Sequence, residues 1–265
     1  MSLNFELSGL DHGWWRVGEL ARALNLRALS AFELAFLDGG LRRREPLGSS
    51  WDVRFEEIEP VREFSWRKEA RGFAGWYYST TLRDHVGYES WLERDRLVLL
   101  DRDPQVIGIA SQPFWLHWSD QSGGRRHAPD YFVRLADGRA RVVDVRAEDD
   151  MDDATKEAFA ATEEACRAVG WEFDWVGRPE PVFMANVRWL ARFRRARCGR
   201  PAWIVEGLRE VFREPKPLWD GAKAVGDRLQ VLPVLFHLLW AGVLVTDLVT
   251  EVMETHSLVW TEAVT

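Results

Sequence analysis

Two runs of mixed apolar and polar residues, His127 to Leu135 and Arg139 to Arg146, flank Asp137-Gly138 and constrain this chain more than any other feature. An Asp-Gly pair between such runs predicts a β-hairpin, because glycine enters the left-handed region without steric cost. Loop length then decides which side chains share a face. A two-residue loop would pair Ala136 with Arg139, set Asp130 opposite Val145, and send Asp130 and Asp144 to opposite sides of the sheet. A three-residue loop, Ala136-Asp137-Gly138, with Gly138 left-handed, pairs Leu135 with Arg139 instead. Asp130 then lies directly across from Asp144, and Arg146 projects from the same face. Opposed Cβ atoms sit about 4.5–5.5 Å apart, close enough for both carboxylates to bind one cation. Two like charges facing each other inside a fold are costly without one. The three-residue loop is the expected register.

The surrounding pattern is α/β. Tyr88 to Leu100 reads as a helix broken by Asp103-Pro104, followed by strands at Val106 to Ala110 and Phe114 to Trp118 and a polar loop from Ser119 to Gly124. After the hairpin, Asp153 to Val169 reads as a helix stopped by Gly170, and Trp171 to Val176 as a strand. This order is that of a restriction-endonuclease-like core with a mixed central sheet, expected over 51–180. Upstream, Leu20 to Leu37 has mixed helical spacing ending at Asp38-Gly39-Gly40, so 1–50 reads as an N-terminal helical segment. Arg42-Arg43-Arg44 reads as a solvated loop in preference to a DNA contact, and Trp51 to Trp66 as short strands. Beyond Pro179-Glu180-Pro181 the chain turns to arginine-rich helices and the apolar stretch Leu229 to Trp240, with Gly242 as a stop. Val243 to Val245 and Ser257 to Trp260 form a candidate terminal hairpin, so 181–265 is expected to be a helical, winged-helix-like domain.

Composition narrows the class. The chain has 265 residues, 46% hydrophobic and 29% charged, enough for a sizeable core in one or two domains. A formal net charge of -7 excludes coating of nucleic acid through bulk charge, so any DNA binding must use local basic patches. Cys166 and Cys198 make neither a disulfide framework nor a zinc site. There is no leader-like N-terminus, and Val231 to Val245 is too short to span a membrane, so a cytoplasmic location without membrane attachment is expected.

Magnesium-dependent phosphodiester hydrolysis needs oxygen ligands converging on a hard cation and positive charge near the scissile phosphate. Pro129-Asp130 followed by Asp144-Val145-Arg146 matches the outline of the PD-(D/E)xK motif except at its last position, where arginine stands for lysine. Arginine can hold a phosphate in a bidentate grip but does not release its proton, so it cannot act as a general base.

The ordered segments His85 to Asp95, Leu99 to Pro104, Ser111 to Phe114, His127 to Phe132 and Val143 to Arg146 resemble the TnsA-like endonuclease subunits of heteromeric transposases, over about Phe55 to Val176. The resemblance implies a Mg²⁺-dependent enzyme, with Mn²⁺ as substitute, that cuts the 5′ strands at transposon ends in double-stranded DNA. It implies two partners, a DDE-type transposase subunit and an AAA+ ATPase regulator. By motif position Glu89 is the helical acidic residue, Asp130 and Asp144 are the strand carboxylates, and Arg146 stabilises the phosphate. Glu93, one turn from Glu89, competes for its role or is an exposed helix charge. Gln112 orients water or backbone or is structural, His127 touches phosphate or is structural, and Lys156 takes over the missing lysine's role or is an exposed helix residue. Beyond the core, Arg188, Arg192, Arg194, Arg195 and Arg197 form a candidate DNA contact or a solvated helix face. The alternatives are a catalytically impaired assembly subunit and a stand-alone defence or repair nuclease.

Overall fold

A computed structural model describes residues 29–62, 73–120 and 123–261; residues 29–31 are helical, as expected, but a hairpin follows from Glu33 where the helix was expected to continue. Strands β1 (Glu33–Asp38) and β2 (Leu41–Pro46) pair antiparallel. Gly39 and Gly40 turn between them at φ 57° and 77°, as a two-residue loop with both central residues left-handed requires. The helix expected to run to Leu37 therefore ends before Glu33, and the stretch 20–28 lies outside the described residues. Leu34 and Phe36 alternate inward with a period of two, and β1 gains a second neighbour across Leu34↔Leu116, which makes it a strand. The basic run 42–44 is thus a strand and not a loop. Strands were also expected over Trp51 to Trp66, but the described part, to 62, holds only a 3-10 turn at Phe55–Glu57.

A second hairpin, β3 (Gly75–Ser79) and β4 (Asp84–Tyr88), leads into helix α1 (Trp91–Arg102). The helix starts later than expected because Ser90 caps it: its hydroxyl accepts the Glu93 N–H at 3.1 Å and donates to the Glu93 carboxylate at 2.8 Å. Tyr88 thereby stays in the strand. Next come β5 (Val106–Ser111), β6 (Trp115–Asp120), β7 (Gly123–His127), β8 (Tyr131–Leu135), β9 (Ala140–Val145), α2 (Asp153–Val169) and β10 (Glu172–Val176). Of the stretch 119–124 expected as a loop, the described residues 119, 120, 123 and 124 lie in β6 and β7. Asp152 caps α2 through Thr155, and Gly170, at φ 75°, ends it.

Two four-stranded sheets result. The central one, in the order β10-β9-β8-β5, is mixed, since β9 and β10 run parallel and the other pairs antiparallel. The other, β2-β1-β6-β7, is antiparallel. Period-two alternation buries both faces of the central sheet. Tyr131, Val133, Val143 and Val145 join α1 and the later helices, whereas Phe132, Ala140 and Val142 meet Phe55, Phe114, Ala165, Cys166 and Trp171.

The chain continues through α3 (Pro181–Leu190), α4 (Ala202–Val211), β11 (Lys216–Pro217), α5 (Leu218–Val225), α6 (Arg228–Trp240), β12 (Val245–Thr246) and β13 (Leu258–Trp260). The short strands form a sheet in the order β11-β13-β12, in which Val245 pairs with Trp260, as the terminal-hairpin reading expects. Leu190, Ile204, Leu208 and Leu235 share one apolar cluster with Leu97 and Tyr131, so the change of composition near 180 coincides with no break in packing. Asn186 adds to this by bonding the backbone of Leu248, Glu251 and Met253. Among the described residues no helix is long and apolar enough to cross a membrane.

Candidate active site

The turn between β8 and β9 sets the site. Leu135 N–H bonds Arg139 O at 2.9 Å, Gly138 N–H bonds Leu135 O at 2.9 Å, and Gly138 is left-handed at φ 88°. The ladder then runs Arg134↔Ala140 to Tyr131↔Val143, the register of the three-residue loop. One step further, Asp130 faces Asp144. Their bonds interlock: Asp130 N–H donates to Asp144 Oδ1 at 3.3 Å, and Val145 N–H donates to Asp130 Oδ2 at 2.7 Å. Asp144 is 1% exposed, and His127 Nε2 lies 3.0 Å from both of its carboxylate oxygens. His127 is held by the end of β7, opposite Leu116, and its ring meets Phe159 edge-on.

These groups open on a cleft of about 460 Å³ whose lining includes Arg62, Glu89, Glu93, Asp130, Asp144 and Arg146. Burial pushes the Asp130 carboxyl well above the usual carboxylate range, and the negative charges of Glu93 and Asp144 push it further. Glu93 is also raised by burial, although bonds from the Glu89 N–H and the Ser90 hydroxyl draw it back. Burial raises Cys166, behind Asp144 on α2, and the Asp144 charge adds to that.

The two glutamates exchange expected places. Glu89 is not on the helix, because Ser90 is the cap and Glu89 precedes it. Its carboxylate is held by Arg62 through bonds of 3.2 and 2.6 Å. Glu93 is no exposed helix charge: it is half-buried, completes the cap and acts on Asp130. Its signal was the Ser-x-x-Glu spacing of 90 and 93. Arg62 lacked one, being a loop residue 27 positions from its partner.

Arg146 is exposed on the cleft rim, with Nη2 3.5 Å from Thr155 Oγ1. Gln112 is buried behind the site at φ 48°, and its N–H bonds Asp130 O at 2.8 Å. Lys156 pairs with Asp153 at 3.2 Å and is not among the residues that line the cleft. The basic run on the later helices divides. Arg188 is committed to buried Asp95 through both carboxylate oxygens, and Arg194 bonds Tyr78 O and lies 3.7 Å from Asp101. Both are thus engaged within the fold, Arg188 while remaining half-exposed and Arg194 largely buried. Arg192, Arg195 and Arg197 are exposed, the first two stacked over Trp189 and Tyr78.

Among the described residues, no three His, Cys, Asp or Glu side chains are gathered closely enough to hold a metal ion. The donor set nevertheless suits a hard divalent cation, being carboxylate oxygens around one cleft with two of them raised by burial.

No curated protein matches the chain. Residues 103–177, which hold Gln112, His127, both aspartates and Arg146 but neither glutamate, match the family model for the TnsA-like endonuclease N-terminal domain, so the central segment of this chain is TnsA-like.

Proposed function

We propose that this protein is a metal-dependent DNA endonuclease of the TnsA-like kind, cutting the 5′ strands at the ends of a transposon. One observation carries the reading: inside the segment that matches the family, the hairpin register brings Asp130 and Asp144 to one face at the mouth of one cleft. Asp130, Asp144 and Glu93 would hold Mg²⁺, or Mn²⁺ in its place, with Glu89 as the competing third ligand. The bound cation would supply Lewis acidity and a more acidic water at the scissile phosphate.

The chain's own groups do the rest. Arg146 and Arg62 both line the cleft and provide positive charge there, where a phosphate gaining negative charge is stabilised. Among the described residues the cleft is lined by no lysine, so proton transfer does not rest on the lysine of the usual motif. His127, bonded to both carboxylate oxygens of Asp144, holds that carboxylate in place. Gln112 holds the backbone of Asp130 from behind.

The order helix, strand, helix, helix, strand, strand from α4 to β13 supports the winged-helix-like reading of the C-terminal region. Its third helix, α6, packs against α3, α4, α5 and the 3-10 turns Ala191–Phe193 and Ala196–Gly199. So covered, it favours contact with the partner transposase subunit or ATPase over insertion into a DNA groove.

The test is cleavage of DNA carrying the element's ends, with the partner subunits present, in Mg²⁺, Mn²⁺ or EDTA. Wild-type protein should cut only with a divalent cation, and Asp130→Asn should not cut. Efficient cutting by Asp130→Asn refutes the assignment. Transposition that proceeds unaltered with Asp130→Asn would favour the assembly-subunit reading.

A further inference from the structure

We infer that the outward face of the β2-β1-β6-β7 sheet is a track for duplex DNA, gripping the phosphate backbone with Arg42, Arg44 and Arg126 and leading it into the cleft. The inference rests on the nuclease reading above and extends the site beyond the segment that matches the family.

Register assigns the faces. Leu34, Phe36 and Leu116 point into the core, so their neighbours along each strand point out. Across the sheet, Ala35 pairs with Arg44 and Trp115, Leu37 with Arg42, and His117 with Glu33 and Arg126. Arg42, Arg44, Trp115, His117 and Arg126 therefore share the outer face. Its one acid in this set, Glu33, pairs with Arg44 at 2.5 Å. The Arg126 guanidinium lies over the Trp115 ring, 4.3 Å from its centroid, a cation–π contact that holds the arginine at this face. His117 reports the local field: burial lowers its pKa, and the charges of Arg44 and Arg126 lower it further.

Continuity identifies the occupant. A hollow of about 270 Å³ is lined by Arg42, Arg43, Arg44, Trp115, His117 and Arg126, and Trp115 and Arg126 also line the carboxylate cleft. A second hollow of about 550 Å³ continues over Arg44, His117, Arg125 and Arg126. Three strand spacings separate the edges β2 and β7, roughly 14 Å, so arginines from the two edges reach separate phosphates. A small anion would not need such an open span. With a formal net charge of -7 the molecule as a whole repels DNA, so a cationic face running to the cleft is the local means of holding substrate.

The test measures binding of a fluorescently labelled random-sequence duplex to the full chain in EDTA, over a salt series. Arg42→Ala with Arg44→Ala should lose about tenfold or more in affinity at low salt and flatten the log–log salt slope by about 1.8, the value for two phosphate contacts. Arg42→Lys with Arg44→Lys should keep most of the binding. Unchanged affinity and slope in the folded alanine variant overturn the track, as does equally effective displacement by poly-glutamate. So does an exclusive loss on Arg192→Ala, Arg195→Ala and Arg197→Ala. If the double alanine variant does not fold, Arg42→Glu, which leaves the Glu33–Arg44 pair intact, carries the test: unchanged binding there overturns the track. Cleavage is scored separately. Lost binding in the arginine variants with Asp130→Asn still cutting keeps the track and refutes the carboxylate assignment, and the opposite pair of results does the reverse.

Discussion

Asp101, near the end of α1, ties three parts of the molecule together, and its removal should be the most damaging single truncation outside the apolar core. Its carboxylate is fully buried and accepts the Tyr77 hydroxyl at 2.8 Å, the Ser79 hydroxyl at 2.7 Å, the Thr80 hydroxyl at 3.2 Å and the Thr81 N–H at 2.9 Å. Arg194 from the later helices lies 3.7 Å away. Asp101→Ala leaves the largely buried Arg194 guanidinium without its counter-charge and the part-buried Thr81 N–H without its acceptor, and breaking one side of such a pair costs about 3–5 kcal/mol. At about 2–4 °C per kcal/mol for a chain of this size, the melting temperature should fall by roughly 6–20 °C. Burial alone would raise the Asp101 carboxyl, but the Thr81 N–H and the Ser79 hydroxyl lead the bonds that outweigh it and hold it below the usual range. A depressed carboxyl stabilises fully above its unfolded pKa and loses that contribution as pH falls through the folded one. Denaturant titrations of wild type and Asp101→Asn should therefore converge in acid and diverge toward neutrality. A loss below about 1 kcal/mol for the alanine variant, the size of an ordinary substitution, or a gap that does not change with pH, would refute the reasoning.

Two further outcomes follow from the site itself. Gly138→Val puts a β-branched residue at φ 88° and should cost about 1–2 kcal/mol in thermal denaturation while cleavage persists, because buried Phe132 and Val142 also hold the register; loss of cleavage without loss of stability would contradict this. Glu93→Ala should cost about 1 kcal/mol through the capping box of α1, and Glu89→Ala less, since its pair with Arg62 is partly exposed. The reverse order of denaturation midpoints would show that the two glutamates are wrongly placed.

Much of the site was legible from residue order because its determinants are local. A three-residue turn and a side-chain period of two suffice to set Asp130 across from Asp144, and both act within a stretch of fewer than twenty residues. The same holds for α2, bounded by its Asp152 cap and Gly170 stop. Glu89 and Glu93 fell between these cases, since their Ser90 cap was written locally but the helix periodicity was read across it.

Other features depended on partners far along the chain. Alternation in Leu34 and Phe36 became a strand only when β6 supplied the neighbour, and Arg42 to Arg44 joined Trp115 and Arg126 on one face only through that pairing. Arginines 188 and 194 look alike with 192, 195 and 197 in sequence. Their fates diverged because Asp95 and Asp101, each more than ninety residues away, engage two of the five and leave the other three without such a buried partner. Turn geometry and pleat are properties of consecutive residues, whereas the pairing of a buried charge depends on which distant segment folds against it.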